Sequence, residues 1–341
     1  LAHYTTDVAI IGAGPVGLFA VFQCGMLRLG SHVIDALDMA GGQCTALYPE
    51  KPIYDIPAYP AIEAAHLIER LSEQAAPFHP TYHLNQQVVR LEAKGPRFYL
   101  ETSLGTVIDA GAVIVAAGVG AFGPNRPPLD GLEEYEGKSV FYYVKRRQDF
   151  AGKRVVIAGG GDSAVDWAIS LAEVAKSVTV VHRRDKFRCA PESAERLHTL
   201  VRDGLIALAV PYQLHGLEGS GGALTHVAVA TLEGEVKKLP ADVLLPFFGL
   251  AMSLGPIAAW NLDMADGHIA VDPATCQTSR PGIYAIGDVA RYPGKLKLIL
   301  QGFSEAAMAA HAARAHLHPG ETLHFEYSTT KGVPGAETLT K

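Results

Sequence analysis

Two glycine-rich turns, Gly12-Ala13-Gly14-Pro15-Val16-Gly17 and Gly159-Gly160-Gly161-Asp162-Ser163-Ala164, constrain this chain more than any other feature. Each follows a short apolar run and precedes a segment of helical spacing, which fits G-x-G-x-x-G/A at a strand-to-helix turn. In that pattern the first glycine permits the tight turn, the second lets a pyrophosphate approach the backbone amides, and the third brings helix and strand together. Gly12, Gly14 and Gly17 map onto Gly159, Gly161 and Ala164 by one constant offset. A glycine-rich turn without nucleotide is the alternative for either copy alone; two copies in register imply two nucleotide-binding folds.

The surrounding periodicity agrees. Asp7 to Ile11 reads as a strand, Gly14 to about Arg28 as a helix and His32 to Ala36 as a second strand, a βαβ opening. A loop rich in Gly, Pro and Tyr follows (Ala40 to Ala61), then a helix near Ile62 to Ala75. Alternating runs at Val88 to Leu91, Phe98 to Thr102 and Val113 to Ala116 suggest a small antiparallel insertion. Gly123-Pro124-Asn125-Arg126-Pro127-Pro128 has linker chemistry, and a second βαβ starts at Arg154, with Asp242 to Phe248 as its last strand. Beyond lie a strand, Ile283 to Ile286, and an Ala-rich helix from about Gly302 to His316. That tail is too short to stand alone and is expected to complete the first domain. The fold class is α/β, two Rossmann-like nucleotide-binding domains with the second inserted in the first: 1–117, 118–248 and 249–341.

One mismatch between the copies separates their ligands. Asp35, at the end of the strand after the first fingerprint, can accept hydrogen bonds from ribose hydroxyls, as an FAD or NAD site requires. The constant offset carries Asp35 onto His182, so the second site lacks the carboxylate. There stand His182-Arg183-Arg184 with Arg188 close behind, the positive charge that a 2′-phosphate requires. A solvated basic loop is the alternative. The first site (Gly12, Gly14, Pro15, Gly17, Asp35) thus suits an adenosine with a free 2′-hydroxyl, as in FAD or NAD, and the second (Gly159, Gly161, Asp162, Ser163, His182, Arg183, Arg184, Arg188) suits NADP(H). With flavin in the first site, 1–117 and 249–341 form an FAD-binding domain and 118–248 an NADP(H)-binding one.

Two such sites suggest hydride transfer between nicotinamide and flavin, chemistry that needs few catalytic side chains. No G-x-S-x-G elbow, H-E-x-x-H helix or convincing acid/base pair is present. Gly287-Asp288, after a strand, can hold the ribityl hydroxyls of FAD, with a surface turn as the alternative. The N-terminus of the helix near Gly302 could favour an anionic reduced flavin. Among 14 histidines, His311, His316 and His318 fit the exposed end of a helix, and no metal site is expected.

Composition adds exclusions. A chain of 341 residues with 48% hydrophobic content can bury two cores, and a net charge of -6 argues against a protein built to grip nucleic acid. No apolar stretch of about 20 residues is present for membrane insertion. Leu1 to Asp7 lacks the layout of an export signal. The four cysteines, Cys24, Cys44, Cys189 and Cys276, form no C-x-x-C pair, which suits the reducing cytoplasm.

The chain resembles the ferredoxin–NADP+ reductases of the thioredoxin-reductase-like type, FAD-containing homodimers. The likeness spans nearly its whole length, through Gly41-Gly42-Gln43, Ala46-Leu47-Tyr48-Pro49-Glu50-Lys51, Ala116-Ala117-Gly118-Val119-Gly120-Ala121-Phe122, Gly159 to Trp167, His182-Arg183-Arg184 and Tyr284-Ala285-Ile286-Gly287-Asp288. The resemblance implies that Asp35, Gln43, Tyr48, Val88, Phe122, Asp288 and Thr329 contact FAD. It places Tyr48 on one flavin face and an aromatic of the C-terminal extension, Tyr327 or else Phe325, on the other.

Thioredoxin reductases carry a redox C-x-x-C shortly before the second glycine motif. Here that stretch reads Ser139-Val140-Phe141-Tyr142-Tyr143-Val144-Lys145-Arg146-Arg147, without cysteine. Lacking a dithiol relay, reduced flavin must pass electrons directly to an outside acceptor, and ferredoxin fits. Cys44, without a partner, is the one thiol that could restore a redox-cysteine reading. Lys145, Arg146 and Arg147, or Lys295 and Lys297, could form a basic docking surface for an acidic ferredoxin. The alternatives are a reductase of another acceptor (thioredoxin, quinone, rubredoxin or flavodoxin) and a non-enzymatic FAD/NADP(H) sensor.

Overall fold

A computed structural model describes residues 2–321 and 332–333, with the backbone alone at 121–122 and 250–252. The chain divides into two units: Leu1–Ala121 with Met252–Lys341, and Phe122–Ala251. The architecture is α/β, one Rossmann-like unit interrupted by another.

In the first unit β1 (His3–Ile11) is buried continuously from Val8 to Ile11, the pattern of a parallel strand covered on both faces. Helix α1 (Pro15–Met26) returns the chain to β2 (Ser31–Ile34), parallel to β1 from Val8↔Ser31 to Ile11↔Ile34. Helix α2 (Ala64–Ala75) leads to β3 (Thr81–His83), which extends the sheet beyond β2. Ile62 and Glu63, expected in this helix, instead pair antiparallel with Pro52–Ile53, and the extended backbone of Glu63 caps the helix. A meander of β4 (Val88–Lys94), β5 (Arg97–Thr102) and β6 (Val107–Val115) supplies the antiparallel insertion, and β6 lies parallel to β1.

In the second unit β7 (Arg154–Ala158), α3 (Asp162–Leu171), β8 (Ser177–Val181), α4 (Pro191–Arg202) and β9 (Ile206–Ala209) repeat the right-wound βαβαβ pattern. An antiparallel sheet of β10 (Gln213–Ser220), β11 (Ala223–Ala230) and β12 (Val236–Pro240) follows, then β13 (Val243–Pro246) joins β7 in a parallel sheet ordered β9-β8-β7-β13. The sequence reading did not resolve the antiparallel sheet. Register shifts at Leu214/Gly216 and Glu218/Gly219 break the alternation that would reveal β10.

The chain then completes the first unit. Strand β14 (Ile283–Ala285) pairs with the Val113–Val115 end of β6, while β5 pairs antiparallel with the Val107–Ala110 end. Helix α5 (Ile299–Leu317) starts one turn before the expected Gly302, after extended Leu298. Its Ala306, Ala309, Ala310 and Ala313 are fully buried with Val8, Ile10, Ala20 and Val21, and their small side chains let helix and sheet approach closely.

Arg154 and Asp242 tie the starts of β7 and β13: the Arg154 amide donates to Asp242 Oδ2 at 2.8 Å and its guanidinium donates to both carboxylate oxygens. The guanidinium bond, opposed by desolvation and aided by the amide, lowers the Asp242 carboxyl to about 2. Both side chains are about a third exposed, so solvent screening leaves the pair about 1 kcal/mol. With a folded value below the unfolded one near 4, that contribution is full at neutral pH, fades below about pH 4 and is lost as pH falls through about 2. Asp242→Asn is expected to lower the thermal midpoint at neutral pH, with the gap to wild type closing in acid melts over that window.

Candidate functional site

At the first fingerprint the three glycines divide their tasks. Gly12 has φ +110°, and a Cβ there would lie 2.3 Å from Ala116 O; one on Gly17 would lie 1.9 Å from Gly12 O. A Cβ on Gly14 would meet nothing within 4 Å. The outer glycines therefore serve backbone packing, while the middle one faces open space. Gly14 caps α1 without a side-chain bond, Pro15 opens the helix, and no acidic residue lies in the first turn. Unpaired amides and the positive end of the helix dipole are left for an anion.

Asp35 stands where a ribose carboxylate is expected, and it also braces the turn. Its Oδ2 accepts the Ala13 amide at 2.6 Å and its Oδ1 the Leu37 amide at 2.8 Å. Burial raises its pKa, and these two bonds oppose the rise. Each oxygen keeps a further lone pair for a ligand hydroxyl.

Other predicted residues gather around this turn. Gly42, at φ +57°, lies against Gly14, a Cβ on it being 3.2 Å from Gly14 Cα, and Gly118 faces Gln43 Nε2. Tyr48 shares a side-chain hydrogen bond with Cys44, and the charge of Asp288 acts on both. Burial foremost, then the Cys44 and Asp288 effects, raise the Tyr48 phenol. Burial likewise pushes the Cys44 thiol up to about 11, so at neutral pH it is a protonated neighbour of Tyr48, which argues against the redox-cysteine reading. The Gly287–Asp288 turn abuts the first turn of α1: Cβ atoms on Gly287 and Gly302 would lie 3.5 and 2.3 Å from Val16 Cγ2.

Val88 can offer its backbone but not its side chain. Its side chain is in the core with Ile11, Ile34 and Leu91, so only its backbone is available for contact. The side chain of Phe122, and all of Phe325, Tyr327 and Thr329, lie outside the described residues.

The second fingerprint repeats the first bond for bond. The Gly12 amide donates to Ile34 O and the Gly159 amide to Val181 O; the Asp35 amide donates to His83 O and the His182 amide to Ala209 O. A Cβ on Gly159 would lie 2.7 Å from Phe247 O, whereas one on Gly161 would meet only Arg188 O at 3.9 Å. Asp162 opens α3, its Oδ1 accepting the Ala190 amide at 2.9 Å, and the Arg188 amide donates to Gly160 O at 2.6 Å. These bonds fold the 183–190 loop back over the glycines. Ser163 is exposed beside Asp162.

His182 departs from the expected cationic role. Its ring is 9% exposed, stacks on Phe187 with centroids 5.1 Å apart, and underlies Gly160. Burial lowers its pKa; a bond that the ring donates to the Lys186 backbone carbonyl opposes this, and the charges of Arg188, Arg183 and Arg184 add to it. It is a neutral floor, and its Nε2 is buried without a protein partner. The positive charge comes from Arg183, Arg184 and Arg188, all exposed and in no ion pair among the described residues.

The expected docking cations are largely engaged. Arg146 pairs with Asp149 at 2.7 Å, Arg147 with Glu173 at 2.9 Å, and Lys145 lies over the Tyr143 ring. Lys295 is a correction: its side chain is 2% exposed and paired with buried Glu305, so only Lys297 of that pair is exposed. Glu305 went unread in the sequence; a lone acid on the alanine face of α5 was the available signal. All four cysteines are free, and no metal-binding group of three His, Cys, Asp or Glu occurs among the described residues.

The profile of the pyridine nucleotide-disulphide oxidoreductase family matches residues 6–316. The chain belongs to that family. Among family relatives, a protein of Paramagnetospirillum magneticum named ferredoxin–NADP reductase is 66% identical, covering 98% of this chain and 99% of its own. One of the same name from Rhodospirillum rubrum is 64% identical, covering 97% of each. The crystal structure of T. acidophilum thioredoxin reductase shares the family fold with a TM-score of 0.80 and 25% identity, over 91% of this chain and 98% of that one.

The same substitution should fail in two ways at the first turn. Gly17→Ala, driven into Gly12 O, is expected to destabilise the protein by about 1–3 kcal/mol in thermal melts. Gly14→Ala should leave the melt of the FAD-free protein unchanged and sharply lower FAD content in absorbance spectra.

Proposed function

We propose that this chain transfers electrons between NADP(H) and ferredoxin through FAD, the activity its relatives' name states. The observation that carries the reading is the contrast between two turns that share their backbone hydrogen bonds. One ends on the carboxylate of Asp35, the other on exposed Arg183 and Arg184 with a neutral His182 beneath. The first unit takes FAD: Gly12, Gly14, Pro15 and Gly17 at the pyrophosphate, Asp35 at the ribose, Gln43, Val88, Phe122 and Asp288 along the molecule, and Tyr48 against the flavin. The open space at Gly14 and the uncapped α1 terminus support this. Tyr327 and Thr329 complete the set by resemblance alone. The second unit takes NADP(H) on Gly159, Gly161, Asp162, Ser163, His182, Arg183, Arg184 and Arg188.

Bound FAD supplies two-electron exchange with nicotinamide and one-electron exchange with an iron–sulfur acceptor. The protein's own residues bind and orient: α1 presents its amides, Asp35 accepts hydroxyl protons, and the arginines hold a 2′-phosphate. Cys44 forms no disulfide and 139–147 contains no cysteine, which favours ferredoxin over thioredoxin. We place the protein in the cytoplasm as a homodimer; among the described residues no helix is long and apolar enough to cross a membrane.

Arg183→Ala and Arg184→Ala are expected to raise KM for NADPH about tenfold or more each while moving KM for NADH little, since each removes a charged contact to the 2′-phosphate. Stopped-flow reduction of the yellow protein by NADPH, followed by mixing with ferredoxin, thioredoxin or quinone, tests the acceptor. Fast reoxidation by ferredoxin is expected, and turnover with thioredoxin alone would overturn the reading.

A further inference from the structure

One buried charged group lies outside the turns described so far yet reaches one of them. Glu305 on α5 is 1% exposed, and its Oε2 accepts the Gly287 amide at 2.7 Å. Its Oε1 accepts the Tyr292 hydroxyl at 2.6 Å and pairs with Lys295, itself 2% exposed. Gln301 continues the network: its Nε2 donates to the Tyr292 oxygen at 2.6 Å and its Oε1 accepts the Leu296 amide at 3.1 Å. The whole connection from Gly287 to α5 is thereby pinned to two side chains of that helix.

We propose that Glu305 is a positioning residue of the flavin site, whose carboxylate, neutralised by Lys295, fixes the Gly287–Asp288 turn against α1 before FAD binds. The inference rests on the reading of Asp288 as an FAD contact. A buried ion pair adds little net stability compared with apolar residues of similar volume, so stability alone gives a weak account of this one. Its geometry gives a better one. Gly287 sits at φ +72° and heads only a short 3-10 turn, so the turn has little regular structure of its own to hold it. The turn nevertheless packs against Val16 at the start of α1, close enough to the site for the charge of Asp288 to act on Tyr48 and Cys44. The amide anchored by Glu305 belongs to the residue immediately before Asp288. Burial keeps the Glu305 carboxylate away from any ligand, so it acts through the turn.

The test compares two triple variants that share Lys295→Met and Tyr292→Phe, which remove the other two donors to Glu305, and differ only in the acceptor offered to Gly287: Glu305→Gln in one and Glu305→Leu in the other. FAD affinity of the FAD-free proteins is measured by flavin fluorescence quenching. The Gln variant is expected to stay within about threefold of wild type and the Leu variant to bind at least about tenfold more weakly, the effect of stranding one buried amide. Equal affinities would overturn the proposal. Should the Leu variant not fold, hydrogen exchange in FAD-free wild-type protein decides: slow exchange across 286–289 is expected, and rapid exchange there would overturn the proposal. Asp288→Ala, measured alongside, separates the two claims. FAD retained by that variant overturns the underlying reading, whereas FAD lost there with equal Gln and Leu variants overturns only the role of Glu305.

Discussion

The close approach of two backbone segments at the end of β1 is the constraint on which the first unit depends. With Gly17 packed so near Gly12 O that no Cβ fits, α1 must leave the sheet at one angle and from one point. That angle leaves the α1 amides uncapped and turns Val16 toward Gly287 and Gly302, so Asp288 and the start of α5 are placed by contact with the same helix turn. Asp35 then locks the arrangement from the other side through Ala13 and Leu37. At the second site the demand is looser: Ala164 stands in the third position, its methyl 3.0 Å from where a Gly159 Cβ would be.

Much of this was legible in the sequence because it is written locally. Glycine spacing, the strands on either side and the exchange of Asp35 for His182 occupy a few consecutive residues each, and their offset is an internal control. What the sequence concealed depends on burial and on distant partners. His182 reads as one more cation beside two arginines, but the ring is covered by Gly160 and Phe187 and stays neutral. Lys295 reads as a surface lysine near Lys297, yet a glutamate nearly two turns into the next helix draws it inward. Neither outcome follows from spacing, because each is decided by what a second element places on top.

Burial also explains why the discriminating positions serve twice. Asp35 cannot be a bare carboxylate in a half-dry turn; two amides make its charge tolerable, and those amides are the ones that shape the loop. Asp162, exposed at the start of α3, likewise engages an amide of the loop beside it, that of Ala190. The bond that satisfies Asp162 carries the 183–190 loop over the glycines. Asp162 thus helps to shape the second site.

The thiols complete the argument about where electrons go. Burial raises Cys24 and Cys276 to about 12 and Cys44 to about 11, and none of the four is paired, so the protein offers no disulfide to receive a hydride equivalent from the flavin. In the cysteine-free segment 139–147, Tyr142 donates to Glu136, itself paired with Arg126. A segment tied down in this way and empty of sulfur cannot act as a relay. Electrons leaving the flavin must go straight to a partner that brings its own redox centre, and a one-electron iron–sulfur protein meets that demand where a disulfide substrate does not.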